Sequence, residues 1–254
     1  MKTVVITQAR SGSTRLPNKV LKEIKGKSLL EIHINRIKGS KLIDEIFIAT
    51  TINKEDDKIE ELAKLLNVKY YRGSEDDVLD RFYQTIHKIS PDYIVRLTSD
   101  CPLIDPILID EVIQYTKDND LDYCSNTLEE HYPDGQDIEV FKFSALEKAW
   151  KESKLKSERE HVTPYIYNKS TYRGEDLFKS DNYGLNDSFN GVRLTVDEIS
   201  DFQVIKIIIE NLGCNKSWLE YARYYQENEE INKLNNKIIR NEGYLKSIKE
   251  DKDE

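Results

Sequence analysis

The sequence predicts an α/β fold, an α/β/α sandwich on a mostly parallel, Rossmann-like sheet. Three observations carry this. Short β-branched apolar runs alternate with amphipathic stretches through the first half of the chain, which reads as strand, helix, strand in succession. Strands in that order join through right-handed crossovers and lie parallel. The 254 residues contain no internal repeat and no Pro/Gly-rich linker, so one domain spanning 1–254 accounts for the chain.

The elements follow in order. "KTVVIT" (Lys2–Thr7), "EIFIAT" (Glu45–Thr50), "VKYYR" (Val68–Arg72) and "YIVRLT" (Tyr93–Thr98) are the strands of the first half. Between them "LLEIHINRIKG", "DDKIEELAKLLN" and "VLDRFYQTIHKI" place apolar residues at helical spacing. "VIQYTK" closes another helix before the strand-like "LDYCSN". Asp137–Phe143 is expected as a strand, Ser144–Lys154 as a helix, and Glu158–Asn168 as one further helix. Val192–Asp197 reads as a strand and Phe202–Asn211 as a helix. Residues 215–254 form a charged helical extension of the same domain.

Composition excludes several classes. Thirty-eight Lys and Arg against 47 Asp and Glu give a formal charge of −9, whereas general nucleic-acid binding needs a basic face. Cys101, Cys124 and Cys214 are far apart and form no CxxC pair, so a disulfide framework or a zinc site is not expected. Gln8 and Arg10 interrupt the N-terminal apolar run, and no stretch is long enough to span a bilayer. A cytoplasmic protein without membrane partners is the expectation.

Chemistry concentrates at the strand ends. The first strand runs into "ARSGSTRLPNKVL", where Arg10, Arg15 and Lys19 surround Gly12, Ser13 and Thr14. Small residues let backbone N–H groups approach an anion and the cations neutralise it, which suits a polyphosphate. The segment is neither GxxxxGK[ST] nor GxGxxG. Asp100 in "RLTSDCPLID" and Asp197 in "RLTVDEISDF" each follow a strand with the same Arg-Leu-Thr lead-in. Two such carboxylates beside a phosphate loop suggest hard oxygen ligands for Mg²⁺. Lys19 follows a turn-like segment, so its removal is expected to weaken nucleotide binding without changing the stability of the unliganded chain. "DND" at Asp118–Asp120 lies at a helix end, away from that rim, and reads as a turn.

"ARSGSTRLPNKVL" resembles the signature of the cytidylyltransferases that activate 3-deoxy-manno-octulosonate and the acylneuraminates. "RGSEDDVLDRF", "LTSDCPLID", "DGQDIEVF", "REHVTPYIY", "RLTVDEISDF" and "RNEGYLKS" are more similar to the spore coat polysaccharide biosynthesis protein F branch. These segments run in order from Val4 to Ser247. The resemblance implies a nucleotide-diphospho-sugar transferase-like fold. It also implies transfer of CMP from CTP to an anionic sugar acceptor, with Mg²⁺ as cofactor and pyrophosphate released, for surface polysaccharide or glycan biosynthesis.

Carried onto this chain, the resemblance assigns the nucleotide to Ala9, Arg10, Gly12, Ser13, Thr14, Arg15, Lys19, Thr98 and Asp100. Arg72, Ser74, Asp80 and Arg81 would lie around base and ribose. Asp100 and Asp197 would hold the metal, and with Arg15 and Lys19 would carry the chemistry. Asp137, Glu139, Arg159, His161 and Arg193 would face the acceptor. A lone histidine such as His161 is more often a packing residue, and only the resemblance favours acceptor contact. His33 and His87 lie on amphipathic helices and read as structural. Three alternatives stay open: a phosphorylated sugar or polyol as acceptor, a glycosyltransferase using a ready-made nucleotide sugar, and a non-catalytic nucleotide-binding module. Pairing of the chain into a homodimer is also open.

Overall fold

The computed structural model describes residues 1–253. β1 (Thr3–Gln8) leads through the polar loop and a 3₁₀ turn at Lys19–Leu21 to the hairpin β2 (Glu23–Ile24) and β3 (Lys27–Ser28), then to α1 (Leu29–Ile37). β4 (Glu45–Thr51), α2 (Asp57–Leu65), β5 (Lys69–Gly73), α3 (Val78–Ile86), β6 (Tyr93–Thr98) and α4 (Pro106–Asp118) continue the alternation. β7 (Tyr123–Ser125), β8 (Glu139–Lys142), α5 (Phe143–Glu152), α6 (Lys156–His161) and α7 (Pro164–Asn168) follow. The chain closes with β9 (Ser180–Asn182), α8 (Ile199–Leu212), α9 (Trp218–Glu227), α10 (Glu229–Asn232) and α11 (Glu242–Asp253).

Seven strands form one sheet in the order β5-β4-β1-β6-β8-β7-β9. β5, β4, β1 and β6 are mutually parallel, and β8 inserts antiparallel between β6 and β7. The chain leaves β1 toward β4 and β5, then crosses back to lay β6 on the other side of β1. That reversal opens a crevice beyond the carboxyl ends of β1 and β6, where ligands bind in such sheets.

Helix starts are set by side chains. Ser28 Oγ accepts from Glu31 N at 3.1 Å, Asp77 Oδ1 from Asp80 N at 2.8 Å, and Asp105 caps α4 with Pro106 in its first turn. Alternation along β1 and β6 separates two cores. Val5, Val95 and Leu97 pack with α1 and α4 residues on one face, while Val4, Ile6 and Ile94 pack with Leu79, Phe82, Leu146 and Ile166 on the other. Each such side chain, when fully buried, contributes about 1.5–3 kcal/mol. A third cluster joins Leu16, Ile24 and Leu103 to Ile205, Ile208, Tyr221 and Tyr225, which ties the polar loop after β1 to the C-terminal helices.

The structure corrects three expected elements. Glu158–Asn168 is not one helix: α6 ends at Val162, which takes a left-handed φ of 73°, and α7 starts at Pro164. The left-handed Val162 turns the chain before Pro164, whose missing N–H and ring cannot continue the preceding turn. Val192–Asp197 is not a ladder strand; only Arg193 bridges, to Asp134. Its alternating Val192, Leu194 and Val196 are buried, but against the third cluster instead of in the sheet. β8 is shorter than Asp137–Phe143, since Phe143 already opens α5. The short β9 had no pattern in the sequence long enough to read. Residues 215–253 include α9 to α11, and residue 254 lies outside the described residues.

Candidate active site

The loop after β1 is pinned at both ends. Ala9 N donates to Ala49 O at 3.1 Å, and Ser11 N donates to the buried Asp56 Oδ1 at 2.7 Å. Asn18 N closes back on Ser11 O at 3.0 Å, with Asn18 at a φ of 56°. Asparagine tolerates that left-handed geometry, and the next residue, Lys19, is thereby turned inward. Its Nζ lies 2.9 Å from Asp100 Oδ2 and 2.8 Å from Asp197 Oδ1. Arg15 reaches the same Asp197 oxygen at 3.1 Å and Glu242 at 3.3 Å.

This cluster is strongly coupled. Burial works against the Lys19 ammonium, but Asp100 and Asp197 outweigh it and hold its pKa above the ordinary lysine value. Burial likewise opposes the Asp100 carboxylate. The Lys19 charge, with hydrogen bonds from Thr98 and Lys19, overcomes it and keeps Asp100 well below the usual range.

The two carboxylates converge on one cationic point, the Lys19 ammonium. Among the described residues no group of three or more His, Cys, Asp or Glu forms a metal cage. Two carboxylates are hard oxygen donors of the kind divalent cations take, so Asp100 and Asp197 are the residues that would hold such an ion.

His33 sits behind this point. Its Nδ1 donates to Cys101 O at 2.8 Å, so Nε2 accepts from Thr7 Oγ1 at 2.9 Å. Burial lowers its pKa to about 4, against the hydrogen bond to Cys101. The neutral ring thus ties the end of β1 to the segment carrying Asp100.

From Asp100 and Asp197 a cleft of about 360 Å³ extends between β6, β8, α6, α7 and the start of α11. Arg15, Thr98, Asp137, Glu139, His161 and Arg193 line it with the two acids. Glu139 accepts from Arg96 Nη1, from Tyr123 OH at 2.7 Å and from Thr163 Oγ1 at 2.5 Å. Asp137 accepts from Arg240 Nη2 at 2.7 Å, and burial raises its pKa despite that cation. Arg193 bonds Asp134 at 2.5 Å, Asp201 at 2.9 Å and Asp197 at 3.2 Å. His161 Nε2 meets Ser247 Oγ at 3.1 Å, and its ring packs edge-on against Tyr244.

The remaining sequence-assigned residues lie elsewhere. Arg10 pairs with Glu75 at 2.9 Å beside Gly12, while Thr14 is exposed and Ser13 Oγ accepts from Leu16 N. Arg81 is buried, donates to Ser74 O at 2.5 Å, and is lowered to about pKa 10 by burial and by the charge of Arg10. Ser74 Oγ accepts from Asp77 N. Three residues turn away. Arg72 is held by Asp57 and Glu60 at 2.7 and 2.9 Å, Asp80 accepts from Trp150 Nε1 at 2.8 Å, and Arg159 clamps Asp77. Each is engaged in joining neighbouring elements and none lines the cleft.

Sequence reasoning missed Arg96, Asp134, Arg173, Arg240, Glu242 and Tyr244. One signal was available: Arg96 and Arg193 each precede an assigned acid by four residues in the shared Arg-Leu-Thr lead-in. The others come from loops and the C-terminal segment, which no local pattern connects to the rim.

A cationic loop facing paired carboxylates at the reversal point of this sheet defines the class as the nucleotidyltransferase fold. A solved cytidylyltransferase from Leptospira borgpetersenii serovar Hardjo-bovis is 33% identical, with a TM-score of 0.86 over 94% of this chain and 99% of that one. The chain belongs to the cytidylyltransferase family, whose model matches residues 4–242. An uncharacterized protein of Methanocaldococcus jannaschii is 41% identical over 239 residues, covering 94% of this chain and 96% of that one. The spore coat polysaccharide biosynthesis protein SpsF of Bacillus subtilis is 36% identical over 228 residues, covering 82% and 86%.

Proposed function

We propose that the chain is a Mg²⁺-dependent enzyme that transfers CMP from CTP to an anionic sugar in the cytoplasm, for surface polysaccharide or glycan biosynthesis. The observation that carries this reading is the meeting of Lys19 and Arg15 with Asp100 and Asp197 at the mouth of the cleft. The similarity to SpsF supports the biosynthetic setting.

In this reading the triphosphate lies against Arg15, Lys19 and the loop, and exchanges with the carboxylates that now pair those cations. Bound between Asp100, Asp197 and the phosphates, Mg²⁺ would neutralise charge and favour attack on phosphorus. The acceptor oxygen bonds to the α-phosphorus, the bond to the β-phosphate oxygen breaks, and pyrophosphate leaves with the electron pair. A hydroxyl acceptor also gives up its proton, and we give the role of taking it to Asp137, a cleft carboxylate whose pKa burial raises. Positioning and charge neutralisation supply most of the rate.

Pyrophosphate release tests the reading directly. CTP with Mg²⁺ is assayed against sugar acids and sugar phosphates, with UTP and metal-free controls. Release that needs CTP, metal and an anionic sugar supports it. Equal turnover of UTP, or release indifferent to the sugar's charge, would refute it.

A further inference from the structure

The acceptor-side cations expected from sequence are already engaged: Arg159 by Asp77, and Arg193 by Asp134, Asp197 and Asp201. His161 carries little positive charge, since burial and then the Arg96 charge lower its pKa. Besides Arg15, given above to the triphosphate, the cleft contains two other guanidinium groups, those of Arg96 and Arg173.

Arg96 sits directly opposite Glu139 in the β6–β8 ladder and shares a face of β6 with Thr98. At roughly 3.3 Å per strand residue, its Cα lies no more than about 13 Å from that of Asp100, a span suited to one sugar unit. Only Nη1 bonds Glu139, and the buried Nε has no hydrogen-bond partner. Glu139 also answers Tyr123 and Thr163, so its charge is spread over three donors. Arg173, just after α7, is exposed, lies over the Tyr172 ring and makes no ion pair among the described residues. The Arg96 Nε itself is closed off inside the protein, so the part of its fork left for a ligand is Nη2, which bonds no described residue.

We propose that Arg96 and Arg173 form the anion subsite of the acceptor, holding its carboxylate or phosphate in the cleft and setting acceptor specificity. The guanidinium fork matches either anion in a bidentate pair. The proposal rests on the cytidylyltransferase reading of the same cleft and assigns two residues that the reading leaves without a role.

The test is a binding titration on the full chain with Mg²⁺, followed by ligand-observed NMR. The probes are 3-deoxy-manno-octulosonate for the carboxylate, glucose 1-phosphate for the phosphate, and uncharged glucose. At least one anionic probe is expected to bind about tenfold or more tighter than glucose, and Arg173→Ala and Arg96→Met each to weaken it about tenfold. Calorimetric CTP affinity stays unchanged in both. Arg96→Met strands Glu139 without its cation, so a double variant, Arg96→Met with Glu139→Gln, removes both charges if the single one fails to fold. Anionic probes that bind no tighter than glucose overturn the proposal. So does binding unchanged in both Arg173→Ala and the double variant. Failure of the nucleotide reading reads out separately, as no CTP binding by the wild-type chain.

Discussion

Lys19 Nζ stands 2.8 Å from Asp197 Oδ1, and the same nitrogen is 2.9 Å from Asp100 Oδ2. A lysine from the β1 loop therefore joins the end of β6 to the segment before α8. Asp100→Asn and Asp197→Asn each remove a charge from this junction. Turnover is expected to fall at least about 10²-fold in either, the scale of losing one transition-state stabiliser. Near-normal pyrophosphate release in both variants would take the acids out of the chemistry.

Lys19→Met separates the sequence expectation from the structural one. A turn lysine is removable without cost, but this one is buried between two carboxylates. The variant is expected to bind CTP at least about tenfold more weakly. It should also melt lower without metal and recover with Mg²⁺. The sign with pH is fixed by the depressed Asp100: its stabilisation is present above the ordinary aspartate pKa and is lost as pH falls through the lower folded value. Without Lys19, acid unfolding should move to higher pH. A melting temperature unchanged from wild type with and without Mg²⁺ would contradict this.

Glu242 pairs with Arg15, so in the proposed reading it competes with the nucleotide for that cation. Both side chains are more than a third exposed, so the pair contributes at most about 1 kcal/mol. Glu242→Gln should tighten CTP binding by up to about fivefold at low salt, with the gain vanishing at high salt. Calorimetry at two ionic strengths checks it, and weaker binding in the variant would count against the competition.

His33 gives a pH-dependent stability. Its folded pKa of about 4 lies below the unfolded value, so the unfolded chain binds more protons across that interval. Its contribution is therefore full above the ordinary histidine range and is lost as pH falls toward 4, by about 3 kcal/mol in total. Denaturant unfolding between these limits should show a positive slope with pH that His33→Gln flattens. An identical slope in the variant would refute the assignment.

Gly135 has a φ of +106°, and a Cβ there would stand 2.6 Å from Leu194 C and 2.7 Å from Thr195 N. The backbone of Leu194 and Thr195 thus passes directly against Gly135, beside the cleft-lining Asp134 and Thr195. Gly135→Ala is expected to destabilise by about 1–3 kcal/mol from backbone strain alone, and to reduce turnover with it. Wild-type melting and activity in this variant would show that the segment can give way.

The parallel half of the sheet was legible because buried strands and amphipathic helices differ in hydrophobic period, as in Val4–Ile6 against Leu29–Ile37. The antiparallel half was less so. β7 and β9 are three residues each, too short for a period to register, and Val192–Val196 shows strand alternation while packing against helices. The polar loop after β1 and Asp100 could be placed because strand-end polarity is local, whereas Asp197 was reached through a strand that does not form. The side-chain destinations could not. Arg72, Asp80 and Arg159 sit in motif segments, yet their partners Asp57, Trp150 and Asp77 are brought to them only by tertiary packing. The same holds in reverse for Arg240, which reaches Asp137 across more than a hundred residues of chain.

The ammonium held between Asp100 and Asp197 also has a kinetic meaning. In the proposed reading the free chain carries its own counter-ion, so solution Mg²⁺ arriving alone would have to evict a lysine that has nowhere comparable to go. A metal–triphosphate complex offers that lysine a new anion in the same encounter, and one exchange satisfies both sides. Ion and nucleotide are thereby expected to arrive as a pair, with the protein's own cation keeping the place until they do.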